Sequence, residues 1–324
     1  MQNNKICDVC SSNSLRIIGE KKYHRDNIKK ISQNVSDRFR ILFEVWFPES
    51  DFVKLKIVLC EECGFVFYTP RPEASDIDQK YYFLNELICE SKAELIKETS
   101  TELRRAVLLL KYISKNLDVH SVDNVLDFGG HDGRLMKPFI DQGKCCYLVD
   151  YTQHSMPGVI RLGDSLADLS EDARFDLVIC SHVLEHVATP LQVVGELQRH
   201  LTENGFIFIE VPMEMMWQLP MQKEPVTHIN FFTPNSLYNL LTLAGFEVLD
   251  CRLDSCFHPS GIFNFGIRAI ARNVENQEGE RGLRDIDLDY YLRPNLLQRI
   301  RHLQTNPSVL RRISFRSVRR FFSK

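Results

Sequence analysis

The spacing of apolar positions changes twice along the chain. Near the N-terminus, apolar-rich stretches at residues 39–47 and 52–59 suit short strands of a small antiparallel unit. Between residues 76 and 117, Leu, Ile and Val recur at helical spacing with charges between them, which predicts one or two long helices. From residue 124 onward, short apolar runs alternate with helical patterns, and this alternation predicts a parallel sheet with both faces covered.

The elements of this sheet are bounded by turn and cap signals. Thr233 is a good N-cap and Pro234 suits the first helical position. Only residues 151–158 separate the second and third strands, which is short for a crossover helix. Strands are predicted at residues 125–128, 145–149, 159–162, 175–180 and 206–211, helices at 135–140, 190–201 and 234–244, and a closing antiparallel hairpin at 246–253 and 262–271.

These changes divide the chain of 324 residues into four regions. They are an N-terminal module at 1–72, a helical connector or cap at 73–122, an α/β domain at 123–272, and a linker with a basic tail at 273–324. No uncharged apolar run approaches the roughly 20 residues that cross a bilayer, and the first residues lack the apolar core of a secretory signal. We therefore expect a cytoplasmic protein, whose ten cysteines are metal ligands or buried thiols.

The net charge of −3 is the sum of two regions with opposite charge. Residues 293–324 carry nine Lys or Arg and no acidic residue, leaving 31 basic against 43 acidic residues before them. An acidic body argues against a nucleic-acid partner. Apolar and basic residues of the tail can occupy opposite faces of a helix, which suits either peripheral contact with an anionic membrane or an ordinary solvated or packed helix.

Two CxxC pairs in the N-terminal module have the spacing of a zinc site. Cys7 and Cys10 form the first pair, and Cys60 and Cys63 form the second, which is followed by a glycine suited to a tight turn. Four thiolates satisfy the tetrahedral preference of zinc and leave no open position, so such a site stabilises the fold without catalysing. The alternatives are buried reduced thiols or, less in keeping with the pattern, a redox dithiol.

A glycine turn follows the first predicted strand of the α/β domain, in the run Asp127-Phe128-Gly129-Gly130-His131-Asp132-Gly133. Glycine lets backbone amides approach a ligand, and the helix that follows presents its positive end. Asp150 ends the next strand, 23 residues after Asp127, where a carboxylate can accept both hydroxyls of a ribose. Asp164 follows the third strand, where an adenine amino group would lie. Together these residues predict a nucleoside cofactor.

In this order, the motifs resemble class I S-adenosylmethionine-dependent methyltransferases. The resemblance covers residues 123–272 and includes the stretches 175–186 and 204–212. It departs from the commonest family turn at His131, where a glycine is usual, so the backbone there is expected to approach the cofactor less closely. Dinucleotide-binding dehydrogenases also require that glycine and do not predict the hairpin. The resemblance implies S-adenosylmethionine contacts from Asp127, Gly129, Gly130, His131, Gly133, Asp150, Tyr151, Asp164, Ser165 and Ser181.

Within that family, the N-terminal features are similar to the zinc-containing sugar C-methyltransferases. These features are the four cysteines, the Pro70-Arg71-Pro72 connector, the Tyr81-Tyr82 pair and the Gly-Gly-His-Asp-Gly turn. Of that group's Tyr-His-Glu-His stretch only the final histidine is present, as His228, and the chain extends only 52 residues beyond Arg272, without the group's long C-terminal domain. With these departures, the resemblance implies a relative that methylates a hydroxyl of a saccharide or another polar metabolite, with sugar C-methylation as the alternative.

Methyl transfer to a hydroxyl needs a base, and histidine is best suited to that role near neutral pH. His228 precedes the helix at residue 234, on the rim where α/β sheets bind ligands, and is the first candidate. His182 follows the fourth strand and is the second candidate, with a structural role as its alternative. Residues 213–223 are either a substrate lid or a loop packed on the N-terminal module. A non-catalytic scaffold that retains the fold is the alternative from outside the enzymes.

Overall fold

A computed structural model describes residues 1, 4–26, 33–90, 100–257, 263–274, 282–295 and 298. The predicted amphipathic tail lies outside these residues, apart from its first few positions. Within the described part of the chain, no helix has the length and apolarity needed to cross a membrane.

The larger of two sheets has seven strands and forms the centre of the molecule. Its order is β10-β11-β8-β7-β4-β5-β6, with β4 to β8 parallel and the last two strands antiparallel. This arrangement confirms the predicted α/β fold with a mixed sheet. The strands are β4 Asn124–Phe128, β5 Cys145–Val149, β6 Val159–Gly163, β7 Phe175–Ser181, β8 Leu201–Pro212, β10 Glu247–Phe257 and β11 Phe263–Arg272.

Helices cover both faces of this sheet. On one face, α3 (Ser100–Ile113) and the short α4 (Lys137–Ile140) enclose an apolar core. On the other face, α5 (Pro190–Arg199) and α6 (Pro234–Leu243) pack over a second core. Thr233 caps α6 as predicted, because its side chain accepts a hydrogen bond from the backbone N–H of Ser236.

A smaller antiparallel sheet is built from the N-terminal strands and one strand from elsewhere. Its order is β1-β2-β3-β9, from β1 (Leu15–His24), β2 (Phe52–Cys60), β3 (Val66–Thr69) and β9 (Asn230–Phe231). Strand β9 pairs with β3 between Phe231 and Val66 and between Asn230 and Phe67. The segment between β8 and α6 therefore completes the sheet that the N-terminal residues begin.

The predicted strand at residues 39–47 is wrong. The chain forms α1 (Gln33–Arg40) followed by a π-helical segment, Ile41–Trp46. Ile41, Leu42, Phe43 and Trp46 are all buried, and such a continuous apolar run fits a buried helix as well as a strand. The long helices predicted at residues 76–117 are present as α2 (Ala74–Glu90) and α3, and the chain between β5 and β6 contains no helix, as its length indicated.

Candidate active site

The glycine turn follows β4 and has a conformation that only a few residue types adopt easily. Gly129 has φ +70° and its N–H donates to the carbonyl of Val149 at 2.9 Å. His131 has φ +57°, so it takes the left-handed conformation for which glycine is the usual residue. Its backbone N–H consequently donates to Oδ2 of Asp150 at 2.9 Å. The turn is therefore joined to the end of β5 despite the departure from the family pattern.

Asp127 lies below this turn and has no exposed surface. Neither carboxylate oxygen has a hydrogen-bond partner among the described residues. Burial raises the pKa of Asp127 to about 7, because the charged form loses its hydration. A Cβ at Gly130 would be 2.0 Å from Oδ2 of Asp127, so only glycine fits above the carboxylate. The floor of the turn thus holds a buried acceptor that lacks a donor, which fits a cofactor with a cationic or N–H-bearing end.

Asp150 directly follows β5 and is almost fully buried. Its two oxygens accept one backbone N–H each, from His131 and from Thr152 at 2.8 Å. A carboxylate offers about four lone-pair positions, so Asp150 can still accept two hydroxyl donors. Beside it, the rings of Tyr151 and Tyr81 lie 5.2 Å apart, whereas Tyr82 is exposed.

Asp164 and Ser165 directly follow β6 and are exposed. The Asp164 side chain is exposed and forms a salt bridge with Arg161. The backbone N–H groups of Asp164 and Ser165 donate to Asp168 at 2.8 and 2.9 Å. The structure therefore brings Asp127, Gly129, Gly130, His131, Gly133 and Asp150 together, and places Asp164 and Ser165 further out on the surface.

His228 is paired with a carboxylate. Its Nδ1 lies 2.6 Å from Oε1 of Glu214, in the loop between β8 and β9. Burial disfavours a charged imidazole, but the adjacent carboxylate outweighs this effect and raises the pKa of His228. With Nδ1–H donated to Glu214, Nε2 carries the lone pair that accepts a proton.

His186 and His228 contact each other edge to face, with ring centroids 4.8 Å apart. Nδ1 of His186 donates to the carbonyl of Thr227 at 2.6 Å, and burial lowers the pKa of His186 to about 3. Its ring is therefore neutral at physiological pH. Sequence reasoning named His186 only as part of a motif and missed Glu214, which is 14 residues from its partner.

His182 lies between two buried carboxylates. Nδ1 is 3.0 Å from Oε1 of Glu185 and Nε2 is 3.2 Å from Oε1 of Glu210. Both ring nitrogens are thus engaged within the protein, and the backbone N–H of His182 donates to the carbonyl of Glu210 at 2.8 Å. This arrangement fits a structural role better than that of a base, so His228 is the better placed of the two predicted histidines.

The loop that carries His228 is fixed from several sides. The buried carboxylate of Glu224 accepts the N–H groups of Val226 and Thr227 at 2.6 and 3.0 Å. Asn230 donates to the carbonyls of Leu184 and Val187 at 2.6 and 2.8 Å, which joins this loop to the end of β7. The methionines of residues 213–223 are buried, which favours the packed loop over a mobile lid; they are Met213, Met215, Met216 and Met221.

Arg71, from the Pro-Arg-Pro connector, joins the cysteine turns to this loop. Its guanidinium is 1% exposed and pairs with Asp8, which lies between Cys7 and Cys10, at 2.8 Å. It also donates to the carbonyls of Ala188 and Ile229, at 2.7 and 3.1 Å. Sequence reasoning treated the connector only as a family marker and did not predict this role.

The four predicted metal ligands converge. Sγ of Cys7 is 3.7 Å from that of Cys63, and Sγ of Cys10 is 3.4 Å from that of Cys60. All four sulfurs lie within 4.8 Å of one another. Zn–S bonds of about 2.3 Å in a tetrahedron place sulfurs about 3.8 Å apart, so the cluster fits zinc. Cys146, Cys180 and Cys251 are buried elsewhere, as thiols.

A family model described as a methyltransferase domain matches residues 95–250, which include the glycine turn, Asp150 and β7. The chain is an S-adenosylmethionine-dependent methyltransferase. The class I fold of this methyltransferase accords with the resemblance seen in its motifs. S-adenosylmethionine is therefore its cofactor, and the orphaned Asp127, the glycine at residue 130 and the spare acceptors of Asp150 fit that molecule.

This methyltransferase is also similar to individual known proteins. A ubiquinone biosynthesis O-methyltransferase of Rickettsia typhi is 23% identical over 212 residues, which are 56% of this chain and 78% of the relative. A corresponding enzyme of Rickettsia prowazekii is 22% identical over 213 residues, 58% of this chain and 77% of the relative. Among solved structures, the 1,6-didemethyltoxoflavin-N1-methyltransferase of Burkholderia thailandensis superposes with a TM-score of 0.48 and 15% identity, covering 66% of this chain and 97% of that one.

Proposed function

We propose that this enzyme transfers the methyl group to a hydroxyl of a small polar acceptor, a sugar or nucleotide-sugar, with His228 as general base. The observation that carries the proposal is the contact between His228 and Glu214, 2.6 Å long, at the rim beside the ends of β7 and β8. The pair orients the imidazole and leaves Nε2 to take the hydroxyl proton.

The proposed chemistry is an in-line displacement. S-adenosylmethionine supplies an electrophilic methyl group when bound. The residues of this chain hold the acceptor hydroxyl on the side opposite the departing sulfur, and alignment of this kind contributes about 7–11 kcal/mol in well-oriented systems. As the hydroxyl oxygen forms its bond to carbon, its proton passes to Nε2 of His228, and Glu214 stabilises the imidazolium that results.

Two features favour oxygen over carbon as the acceptor atom. The relatives from Rickettsia are O-methyltransferases by name. In addition, the surroundings of His228 are polar, with His186, Glu185 and Glu214 within contact or ionic distance, and such groups suit an acceptor rich in hydroxyls. The similarity of the four-cysteine module to sugar methyltransferases supports a saccharide among such acceptors.

We further propose which residues hold the cofactor. The backbone of Gly129, Gly130, His131 and Gly133 forms the cradle, and Asp150 accepts the ribose hydroxyls. Tyr151, packed against Tyr81, covers the nucleoside, while Asp164 and Ser165 form the outer edge of the adenine pocket and Ser181 contributes at the end of β7. Structural zinc held by Cys7, Cys10, Cys60 and Cys63 completes the proposed assembly.

The test uses cofactor with a labelled methyl group and a panel of acceptors: nucleotide-sugars, free sugars and a catechol. We expect label in an acceptor, with the chemical shift of an O-methyl group in the product spectrum. The kcat of the His228→Asn variant is expected to fall by about 10²- to 10⁴-fold, which is the usual contribution of a general base. Its affinity for S-adenosylhomocysteine should stay unchanged.

His120→Asn is the matched control, because His120 is exposed and distant in sequence from the loop. It should retain full activity. A C-methyl resonance would establish the alternative of sugar C-methylation, and an unaltered rate in His228→Asn would exclude His228 as the base. Cofactor binding with no labelled product from any sugar or nucleotide-sugar would contradict the proposed acceptor class.

A further inference from the structure

Lys80, on α2, is a buried cation whose charge is not matched as the other buried cations are. Within the described residues the buried basic side chains are Arg71, Lys80 and Arg268. Arg71 pairs with Asp8 at 2.8 Å. Arg268 pairs with Glu210 at 2.6 Å. Lys80 is 3% exposed, yet its Nζ forms no salt bridge or hydrogen bond in the described part of the chain. Because a buried charge without a partner is costly, a ligand is expected to supply one.

Glu224 attracts Lys80 without pairing with it. Burial lowers the pKa of Lys80 to about 8, the charge of Glu224 opposes this fall, and the charge of Arg38 adds to it. The amine is therefore still protonated at neutral pH. The Glu224 carboxylate is already used by other donors, since Oε1 is 3.4 Å from Nη1 of Arg38 and Oε2 accepts the N–H groups of Val226 and Thr227.

Lys80 is close both to the tyrosine pair and to the histidine pair of the candidate active site. Its Nζ lies 4.6 Å from the centroid of the Tyr81 ring, which in turn contacts the ring of Tyr151. An aromatic face stabilises a cation by about 0.5–2 kcal/mol but adds no negative charge. The charge of Lys80 also lowers the pKa of His186, whose ring contacts that of His228. The unmatched cation therefore belongs to the surroundings of the proposed base.

We propose that Lys80 binds an anionic group of the acceptor, a phosphate or a carboxylate, and so selects an anionic saccharide over a neutral one. The inference rests on the proposed function, because it concerns the acceptor of that reaction. A bound anion supplies the counter-charge that the chain does not, and the donors of an ammonium group suit either anion. Since His186 interacts with both Lys80 and His228, an acceptor held at Lys80 can present a hydroxyl to the base.

The first measurement follows Lys80 itself by NMR. Protein with ¹³C-labelled lysine side chains, saturated with S-adenosylhomocysteine, is titrated with inorganic pyrophosphate, glucuronate or glucose. The Lys80 signal is identified by its loss in Lys80→Arg. We expect an anion to move this signal and to raise the pKa of Lys80 above about 8, and the effective anion distinguishes phosphate from carboxylate. Glucose should leave the signal in place. A signal that neither anion moves would overturn the proposal.

The second measurement is calorimetric titration of the effective anion. For Lys80→Met we expect its affinity to fall about 10- to 150-fold, the usual effect of losing a charged hydrogen bond. Affinity for S-adenosylhomocysteine should change less than threefold. The melting temperature should not fall, because methionine replaces an unmatched buried charge with an apolar chain. Lys111→Met, at an exposed position on α3, is the control and should keep the anion affinity.

A purely structural partner of Glu224 would behave differently. Lys80→Met would then lose stability and keep its affinity for the anion, and that result would overturn the proposal. Lys80→Gln serves if Lys80→Met does not fold, and the same fall in anion affinity is expected. Anion binding at Lys80 without methylation of any acceptor would contradict only the proposed function. Methylation of neutral sugars, with the Lys80 signal unmoved by either anion, would contradict only this inference.

Discussion

Individual ionisable residues in the cleft differ in how they are partnered. His228 has a carboxylate 2.6 Å away and its pKa is raised, whereas His186 is buried beside a carbonyl and its pKa is lowered. Asp127 has no hydrogen-bonded partner within the described residues. The pKa values of the two histidines are therefore shifted in opposite directions by their surroundings, which suits them to different roles.

The first prediction concerns the pH profile. A base must be neutral to accept a proton, so kcat/KM should rise with pH through the raised pKa of His228, above its usual value of about 6.5. In Glu214→Gln the amide no longer stabilises the imidazolium, so the rise should move to lower pH while the plateau falls about 10- to 100-fold. Steady-state rates between pH 5 and 9 measure both effects. An unmoved rise would show that Glu214 does not act on the base.

The second prediction concerns stability without cofactor. Because the folded-state pKa of Asp127 is raised from 3.8 to about 7, the stabilisation from its proton is complete below pH 3.8 and is lost as pH rises through 7. The charges facing Asp127 are Arg105, Asp150 and Asp132. Between pH 5 and 8 the free energy of unfolding of the wild type should fall by about 3 kcal/mol. The free energy of unfolding of Asp127→Asn should not show this fall. Urea unfolding at the two pH values measures this difference, and parallel curves would contradict it.

At the scale of single elements, the glycine turn depends on backbone freedom and on missing side-chain atoms. Gly129 needs its positive φ, and a Cβ there would also lie 2.5 Å from Cγ2 of Val183. Gly130 leaves room for the carboxylate of Asp127. The turn is thus shaped both by conformation and by close packing.

Gly130→Ala is therefore expected to displace the Asp127 carboxylate and distort the cradle. Affinity for S-adenosylhomocysteine should fall at least tenfold, and stability should fall by about 1–3 kcal/mol, as for other overpacked sites. Gly195→Ala is the control, because a Cβ there meets nothing within 4 Å and the residue lies inside α5. The Gly195→Ala control should keep its affinity for S-adenosylhomocysteine, and its free energy of unfolding should rise by up to about 1 kcal/mol. Calorimetry and thermal unfolding distinguish the two variants.

The elements also show which patterns in the sequence are informative. Strands β4 to β8 were predictable because they are short apolar runs bounded by turns or helices, and α6 was predictable because Thr233 and Pro234 mark its start. The apolar run at 39–47 was misassigned, since a buried helix and a buried strand look alike over so few residues. Strand β9 has two residues, and only its pairing with β3 makes it a strand.

The candidate site was predictable to a similar extent. The glycine turn, Asp150 and the cysteine pairs are local motifs, and their members converge as their spacing indicated. Glu214 and Arg71 contact partners 14 or more residues away. Their roles depend on tertiary contacts, for which one sequence gives no signal.

Across the whole molecule, the cysteine cluster and the proposed base are mechanically connected. Arg71 contacts Asp8 between the first two cysteines and the carbonyl of Ile229, next to His228. The hydroxyl of Tyr68, on β3, donates to the carbonyl of Pro225 at 2.8 Å. A loss of structure in the cysteine turns would therefore weaken the contacts that position the loop carrying the proposed base.

Metal analysis tests this connection. We expect one zinc per chain, and Cys63→Ser should lose zinc, lower the melting temperature and reduce kcat more than affinity for S-adenosylhomocysteine. Cys145→Ser is the control, because Cys145 is exposed and outside the cluster. Elemental analysis, thermal unfolding and kinetics provide the readouts. Full activity in a zinc-free Cys63→Ser protein would disprove the connection.

The pairing of β9 with β3 also limits how the polypeptide can be shortened. A fragment that starts after residue 72 would retain Phe231 and Phe232 but lose the strand that covers them, since both side chains are buried in the intact protein. An uncovered edge with adjacent aromatic rings promotes self-association. Truncation should therefore yield aggregates in place of a minimal catalytic core.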